Sequence, residues 1–246
     1  MISKNQVKFL KSLHQSKYRR KEQLFLAEGV KIVDEFIKSN YSIKTIYAIK
    51  EWVDNNADEF DNINEVSLKE LHSISLLKTP NQVLAVVEYP EDKNIVFDKG
   101  DLVLALDTIQ DPGNLGTIIR IADWFGIEKI ICSNETADAL NPKVVQATMG
   151  ALTRVNIEYT ELPSWIAKLP DTTPVYGTLL DGDNMYETDL SNDGVIVVGN
   201  EGNGISSEVQ KVLTHRIKIP AYGNSMMESL NVAIATSLVC AEFRRK

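Results

Sequence analysis

The stretch LVLALDTIQDPGNLGTIIRIADWFGIEKIIC, residues 102–132, decides the fold class. It opens on an apolar run that ends at Asp107, turns at Asp111-Pro112-Gly113, and enters a helix at Asn114 that Gly126 ends. A second predicted strand, EKIIC (128–132), follows directly. Strands this rich in Val, Ile and Leu, with no alternation of polar residues, predict a mostly parallel sheet covered on both faces. The pattern continues downstream with a helix over Pro142–Ala151, capped by Asn141 with Pro142 in its first turn. Strands are predicted at RVNIE (154–158), PVYGTLL (174–180), VIVVG (195–199) and RIKIP (216–220), and a final helix from Ser229 to Arg244.

Upstream lies a shorter α/β series. Residues 4–16 read as a helix with Val7, Leu10 and His14 on one face and lysines opposite. Then come QLFLAEG (23–29), a helix over Val30–Ile37, IKTIYAI (43–49), a short helix near Trp52–Ala57, a strand near Ile63–Val66, a helix from Ser67 and QVLAVVEY (82–89). The segment PEDKNIVFDKGD (90–101) is polar and punctuated by Pro90 and Gly100. The sequence therefore predicts an α/β protein of two domains, a smaller one over 1–92 and a larger one over 100–246.

Composition narrows the function classes. The chain has 246 residues, 43% apolar and 24% charged, the profile of an ordinary globular protein. Its longest apolar runs are strand-sized, so no membrane association is expected. The N-terminus shows no secretory pattern, which predicts a cytoplasmic location. Cys132 and Cys240 sit in apolar surroundings with no CxxC spacing and no nearby His, and read as buried thiols rather than a zinc or disulfide site. The net charge is −8, yet residues 1–31 carry Lys4, Lys8, Lys11, Lys17, Arg19, Arg20, Lys21 and Lys31 against only Glu22 and Glu28, and the chain ends Arg244-Arg245-Lys246. Phosphate contacts need a local positive surface, so an acidic protein with a basic N-terminal helix (1–21) remains compatible with RNA.

Three segments of the larger domain carry candidate chemistry, each after a predicted strand, where parallel sheets bind ligands. The first holds Asn114 and Arg120, six residues apart and close to two helical turns. The second is VIVVGNEGNGIS (195–206), in which Gly199, Gly202 and Gly204 flank Glu201 and let the backbone approach a ligand. The third runs from Ile219-Pro220 through a long loop to Ser229-Leu230-Asn231. Simple readings exist for the parts: Asn114 or Ser229 as helix caps, Arg120 as a surface ion pair. Neither GxGxxG nor GxxxxGK[ST] follows a strand, which weighs against a nucleotide-dependent oxidoreductase.

In this order the three segments resemble motifs 1, 2 and 3 of the SpoU (TrmH-type) branch of the SPOUT methyltransferases. The matching residues are Asn114, Gly116 and Arg120; Gly199–Gly202; and Ile219, Pro220 and Ser229–Val232. The stretches 24–36 and 79–90 resemble the N-terminal RNA-binding domain of rRNA ribose methyltransferases. One departure is the loop AYGNSMME (221–228), longer than the usual pattern and with Ala221 where Met is common.

The resemblance implies a C-terminal domain with a deep trefoil knot whose loops, 178–182, 199–204 and 219–231, hold S-adenosylmethionine. Backbone groups of Thr178, Leu179, Gly199, Gly202, Ile219 and Leu230 are the implied contacts. It further implies methyl transfer to a ribose 2′-oxygen of structured RNA, large-subunit rRNA before tRNA, with no metal and no DNA substrate. Asn114, Arg120, Glu201, Ser229 and Asn231 are the implied catalytic set, and Arg19, Arg20 and Lys21 the implied RNA contacts. A homodimer through the C-terminal domain is implied, with the partner's motif 1 completing each site. The alternatives are a tRNA ribose methyltransferase and a catalytically silent RNA-binding protein. Because a guanidinium keeps its proton to above pH ~12, the reading gives Arg120 phosphate positioning and alkoxide stabilisation, with the proton leaving by another route.

Overall fold

The computed structural model describes residues 2–56, 62–91, 94–223 and 229–245. They form two compact units: residues 1–92 together with 138–153, and residues 93–137 together with 154–246. The chain thus leaves the second unit after Ala137, contributes sixteen residues to the first, and returns at Arg154.

The first unit begins with two helices, α1 (Lys4–Ser12) and α2 (Ser16–Glu22), where the sequence suggested one over 4–16. Ser3 and Gln6 form a reciprocal capping box on α1, which fixes its start. Next come β1 (Leu24–Glu28), α3 (Val30–Ile37), β2 (Ile43–Ala48), α4 (Lys50–Asn56), β3 (Ile63–Glu65), α5 (Leu68–Ile74) and β4 (Val83–Glu88). A second capping box, Ser67 with Glu70, starts α5. The sheet order is β1-β4-β2-β3, with β4 antiparallel to both neighbours and β2 parallel to β3. Leu10 and Leu13 pack with Leu24, Leu26, Tyr47, Leu71, Ile74 and Leu84 in one apolar cluster. Phe25, Phe36 and Tyr41 meet edge-to-face at centroid separations of 5.1–6.1 Å. Ala57 and residues 92 and 93, which fall in the expected α4 and linker, lie outside the described residues.

The second unit is a six-stranded sheet in which every pairing is parallel. Its strands are β5 (Leu102–Leu106), β6 (Lys129–Cys132), β7 (Asn156–Tyr159), β8 (Val175–Asn184), β9 (Gly194–Val198) and β10 (His215–Lys218), in the order β10-β8-β9-β5-β6-β7. All five residues of both β5 and β9 are buried, as their uninterrupted apolar character predicts. The helices are α6 (Pro112–Trp124), α8 (Leu162–Ile166), α9 (Ser207–Gln210) and α10 (Val232–Phe243); α7 (Pro142–Thr148) belongs to the first unit. Asn141 caps α7 through its side chain, as expected, but the α-helix stops at Thr148 and a 3-10 turn occupies Ala151–Thr153.

Strand order reverses at β5, whose neighbours are β6 on one side and β9 on the other. The segments after β5 and β9 therefore leave the carboxyl end of the sheet at its switch point, where such sheets bind ligands. A second irregularity lies at β8. Strand β10 pairs with Tyr176 and Gly177, then resumes at Asp183 and Asn184, leaving residues 178–182 off the ladder. Gly182 lies so close to β10 that a Cβ there would stand 2.6 Å from the Ile217 backbone. Arg216 holds the departing segment with two 2.8 Å hydrogen bonds to the Asp181 carboxylate.

Candidate active site

The loop after β5 is built around Asp107 and Thr108. Asp107 is buried, and its carboxylate accepts from the Ser206 amide at 2.7 Å and from the Thr108 hydroxyl at 3.1 Å. Thr108 has φ +62°, an unfavourable conformation for a β-branched residue. Three hydrogen bonds hold it there: its hydroxyl to Asp107, its amide to Ser133 Oγ at 2.9 Å, and its carbonyl accepting from Asn200 Nδ2 at 2.9 Å.

Asn200 joins this loop to the one after β9. Its Oδ1 accepts from the amides of Gly202 (2.9 Å) and Asn203 (3.1 Å), an Asx-turn. Asn200 and Gly204 also exchange two backbone hydrogen bonds of 2.9 Å. Residues 199–204 consequently fold back so tightly that a Cβ on Gly199 would lie 2.2 Å from the Gly204 carbonyl carbon. Only glycine fits at 199.

Glu201 stands at the head of this pinned turn. Its Oε1 accepts from Asn114 Nδ2 at 2.7 Å, and Asn114 Oδ1 accepts from Asn231 Nδ2 at 3.0 Å. Asn231 is the N-cap of α10, its Oδ1 accepting from the amides of Ala233 (3.0 Å) and Ile234 (3.3 Å). One side-chain relay thus links the segments after β5, β9 and β10. The cap settles the amide orientations: Asn231 Oδ1 is engaged by the helix, so Nδ2 faces Asn114, whose own Nδ2 then faces Glu201.

Several expectations change. Asp111, not Asn114, caps α6, accepting from the Asn114 amide at 2.8 Å. Asn231, not Ser229, caps α10; Ser229 and half-exposed Leu230 precede it. Arg120 does not join the relay. Six residues along a helix fall about 120° short of two turns, so Asn114 and Arg120 face different directions. Arg120 is exposed and has no hydrogen-bond or ion-pair partner among the described residues.

Of the expected donor-binding positions, Thr178 donates its hydroxyl to the Val197 carbonyl at 3.0 Å, and Leu179 packs partly against the sheet core. Ile219 is half-buried just beyond β10. The Gly202 amide is engaged by Asn200, and its carbonyl has no hydrogen-bond partner among the described residues. A Cβ on Gly204 would meet nothing within 4 Å, and one on Gly202 nothing nearer than 3.6 Å, so the turn presents open backbone on its outer side. Tight backing at Gly199, open backbone beyond it and apolar side chains at Leu179 and Leu230 suit an adenosyl group. Residues 224–228, the bulk of the lengthened loop, lie outside the described residues.

Arg19 is a correction. It is 1% exposed, donating to the carbonyls of Leu13 (3.1 Å) and His14 (3.0 Å) and pairing with Asp138 at 2.5 Å. It ties α2 to the inserted segment inside the first unit and is not available to phosphate. Arg20 and Lys21 are exposed, Lys21 beside Glu22 at 3.3 Å. At the other end, Arg244 donates to the carbonyls of Phe125 (3.0 Å) and Gly126 (3.2 Å), and Arg245 pairs with Glu242 at 2.8 Å. Sequence reasoning did not single out Asn200; an Asn directly after a strand-ending glycine, where Asx-turns form, was the available signal.

A parallel sheet with a tightly pinned turn at its switch point and a polar relay from three loops makes this end of the sheet the candidate site. A family model described as the SpoU rRNA methylase family matches residues 101–241, and one described as an MRM3-like substrate binding domain matches residues 4–85. The chain belongs to the SpoU rRNA methylase family. It is 35% identical over 247 residues to the 23S rRNA (guanosine(2553)-2′-O)-methyltransferase RlmP of Bacillus subtilis, covering 98% of this chain and 97% of the relative. Among solved structures, a TrmH-family protein from Porphyromonas gingivalis matches with a TM-score of 0.91 and 42% identity, covering 100% of this chain and 99% of the other. An AdoMet-bound rRNA methyltransferase from Sinorhizobium meliloti matches with a TM-score of 0.88 and 31% identity, covering 100% and 97%.

Proposed function

We propose that this protein transfers a methyl group from S-adenosylmethionine to a ribose 2′-oxygen of large-subunit rRNA. The observation that carries the reading is the Glu201–Asn114–Asn231 relay, which gathers residues from all three motif segments at the carboxyl end of a parallel sheet. When bound, the donor supplies a methyl group on a good leaving group, so the chain's task is alignment and proton removal. Thr178, Leu179, Gly199, Gly202, Ile219 and Leu230 hold the donor in this reading, and the relay with Ser229 orders the ribose. Arg120 engages the adjacent phosphate with its planar fork.

The first unit delivers RNA, with Arg20 and Lys21 as phosphate contacts. The departure of residues 178–182 from the β8 ladder supports the view that this region is the loop of a trefoil knot. A homodimer is supported by an exposed apolar strip: Ile234 and Leu238, one turn apart on α10, and Trp124, 83% exposed at the end of α6. Arg120, without a hydrogen-bond or ion-pair partner among the described residues, then completes the second copy's site. No described helix is long and apolar enough to cross a membrane, and a cytoplasmic location accords with an rRNA substrate.

The test is to map ribose methylation across rRNA from a deletion strain and to restore the missing mark with purified protein and tritiated donor. A single lost and restored 2′-O-methyl site is expected. An unchanged methylation map, with no label entering any RNA, would overturn the reading.

A further inference from the structure

We propose that Glu201 accepts the proton of the ribose 2′-hydroxyl. This rests on the ribose-methyltransferase reading and gives a side chain to the step that reading leaves open. The relay has a direction. It starts at the α10 N-cap, where Asn231 Oδ1 is engaged by two amides, and passes donor to acceptor through Asn114 to Glu201 Oε1. It ends on a carboxylate, and no donor among the described residues engages the second oxygen, Oε2.

Among the described residues, the two other acidic groups of the segment after β5 are committed. The Asp107 carboxylate is buried and takes the Ser206 amide and the Thr108 hydroxyl, while Asp111 faces the first turn of α6 as its N-cap. Arg120 carries only donors and cannot accept a proton. Glu201 alone among these combines an unengaged acceptor, a fixed position and exposure to solvent. The position is fixed twice: Asn200 pins the turn to the Thr108 carbonyl, and Asp107 pins its exit at Ser206. A pre-positioned acceptor needs little reorganisation when the proton moves.

The step balances. The 2′-O–H bond breaks, its proton passing to Glu201 Oε2 and its electron pair staying on oxygen. That pair forms the new O–CH3 bond as the methyl–sulfur bond breaks, and the released pair converts the sulfonium to a neutral thioether. Glu201 then releases its proton to solvent.

Glu201→Gln tests this cleanly, because the amide oxygen can still accept from Asn114 and keep the relay. Expected are dissociation constants for S-adenosylmethionine and for an rRNA fragment within about twofold of wild type, and a single-turnover rate down about a hundredfold or more. The acid limb of the wild-type pH–rate profile should disappear in the variant. Glu201→Asp, one methylene shorter, should recover part of the rate that Gln lacks. A Gln variant retaining more than a third of the rate, an unchanged acid limb, or affinity falling in step with rate would each overturn the proposal. So would an Asp variant no faster than Gln. Wild-type protein inactive on all rRNA would remove the parent reading, whereas an active wild type beside an active Gln variant would remove only the role of Glu201.

Discussion

Asn231 Nδ2 donates to Asn114 Oδ1 at 3.0 Å, so the residue that starts the last helix also orients the first motif's amide. The two tasks can be separated. Aspartate caps helices as well as asparagine does but cannot donate to Asn114. Asn231→Asp should keep its melting temperature within about 2 °C of wild type by calorimetry, since the cap is retained. Methyl transfer should fall at least about tenfold, because Asn114 is then drawn to donate to the new carboxylate and turns its oxygen toward Glu201. Full activity in this variant would mean the relay is idle.

The basic N-terminal residues should divide into two kinds. Arg19→Ala leaves Asp138 without its buried partner and should cost about 3 kcal/mol of stability in urea unfolding. Arg20→Ala and Lys21→Ala should change stability by less than about 0.5 kcal/mol. Each should instead make the slope of log affinity for RNA against log salt shallower by about 0.7–0.9. Equal slopes in all three variants would contradict the division.

Glu28 predicts a pH effect. Burial pushes its carboxyl above its ordinary 4.5, although Ser75 Oγ and the Leu76 amide donate to it. A carboxyl raised in the folded state holds its proton more tightly folded than unfolded. Its stabilising contribution is therefore complete below pH 4.5 and is lost as pH rises through the folded value. Glutamine can accept from Leu76 and donate to Ser75 without ionising. Glu28→Gln should melt higher than wild type at pH 8, with the gap closing toward pH 4.5. A gap independent of pH would assign the effect to packing.

The exposed pair Ile234 and Leu238 predicts an assembly defect. Ile234→Glu with Leu238→Glu should give a monomer by light scattering with an unchanged circular dichroism spectrum. Loss of methylation in that folded monomer would tie activity to the assembled dimer. A fully active monomer would remove the dimer from the mechanism.

Local patterns in the sequence carried much of the fold. The Val/Ile/Leu runs at 102–106 and 194–198 are buried parallel strands, and Asn141-Pro142 starts a helix as its chemistry requires. The errors arose where a distant partner decides the outcome. Arg19 reads as a surface base until Asp138, 119 positions away, takes it inside. Asn114 and Ser229 both look like caps, but Asp111 and Asn231 take those places and free Asn114 to bridge loops. By local pattern alone residues 178–180 read as the end of a strand, because nothing local shows that β10 will pair on both sides of 178–182. The relay shows a similar limit: its members were each nameable, but their donor-to-acceptor order follows only from the engaged cap.

The first unit contains residues 138–153, and that ordering has a consequence for synthesis. A nascent chain that has released residues 1–92 still lacks α7 and the acidic partner of Arg19. Translation at about 5–20 residues per second delivers the missing piece several seconds later, after β5, α6 and β6 have emerged. The amino-terminal unit therefore cannot mature ahead of the other, as sequential domains usually do. Its assembly waits on the chain that follows, and cutting the gene at the linker would yield two incomplete products.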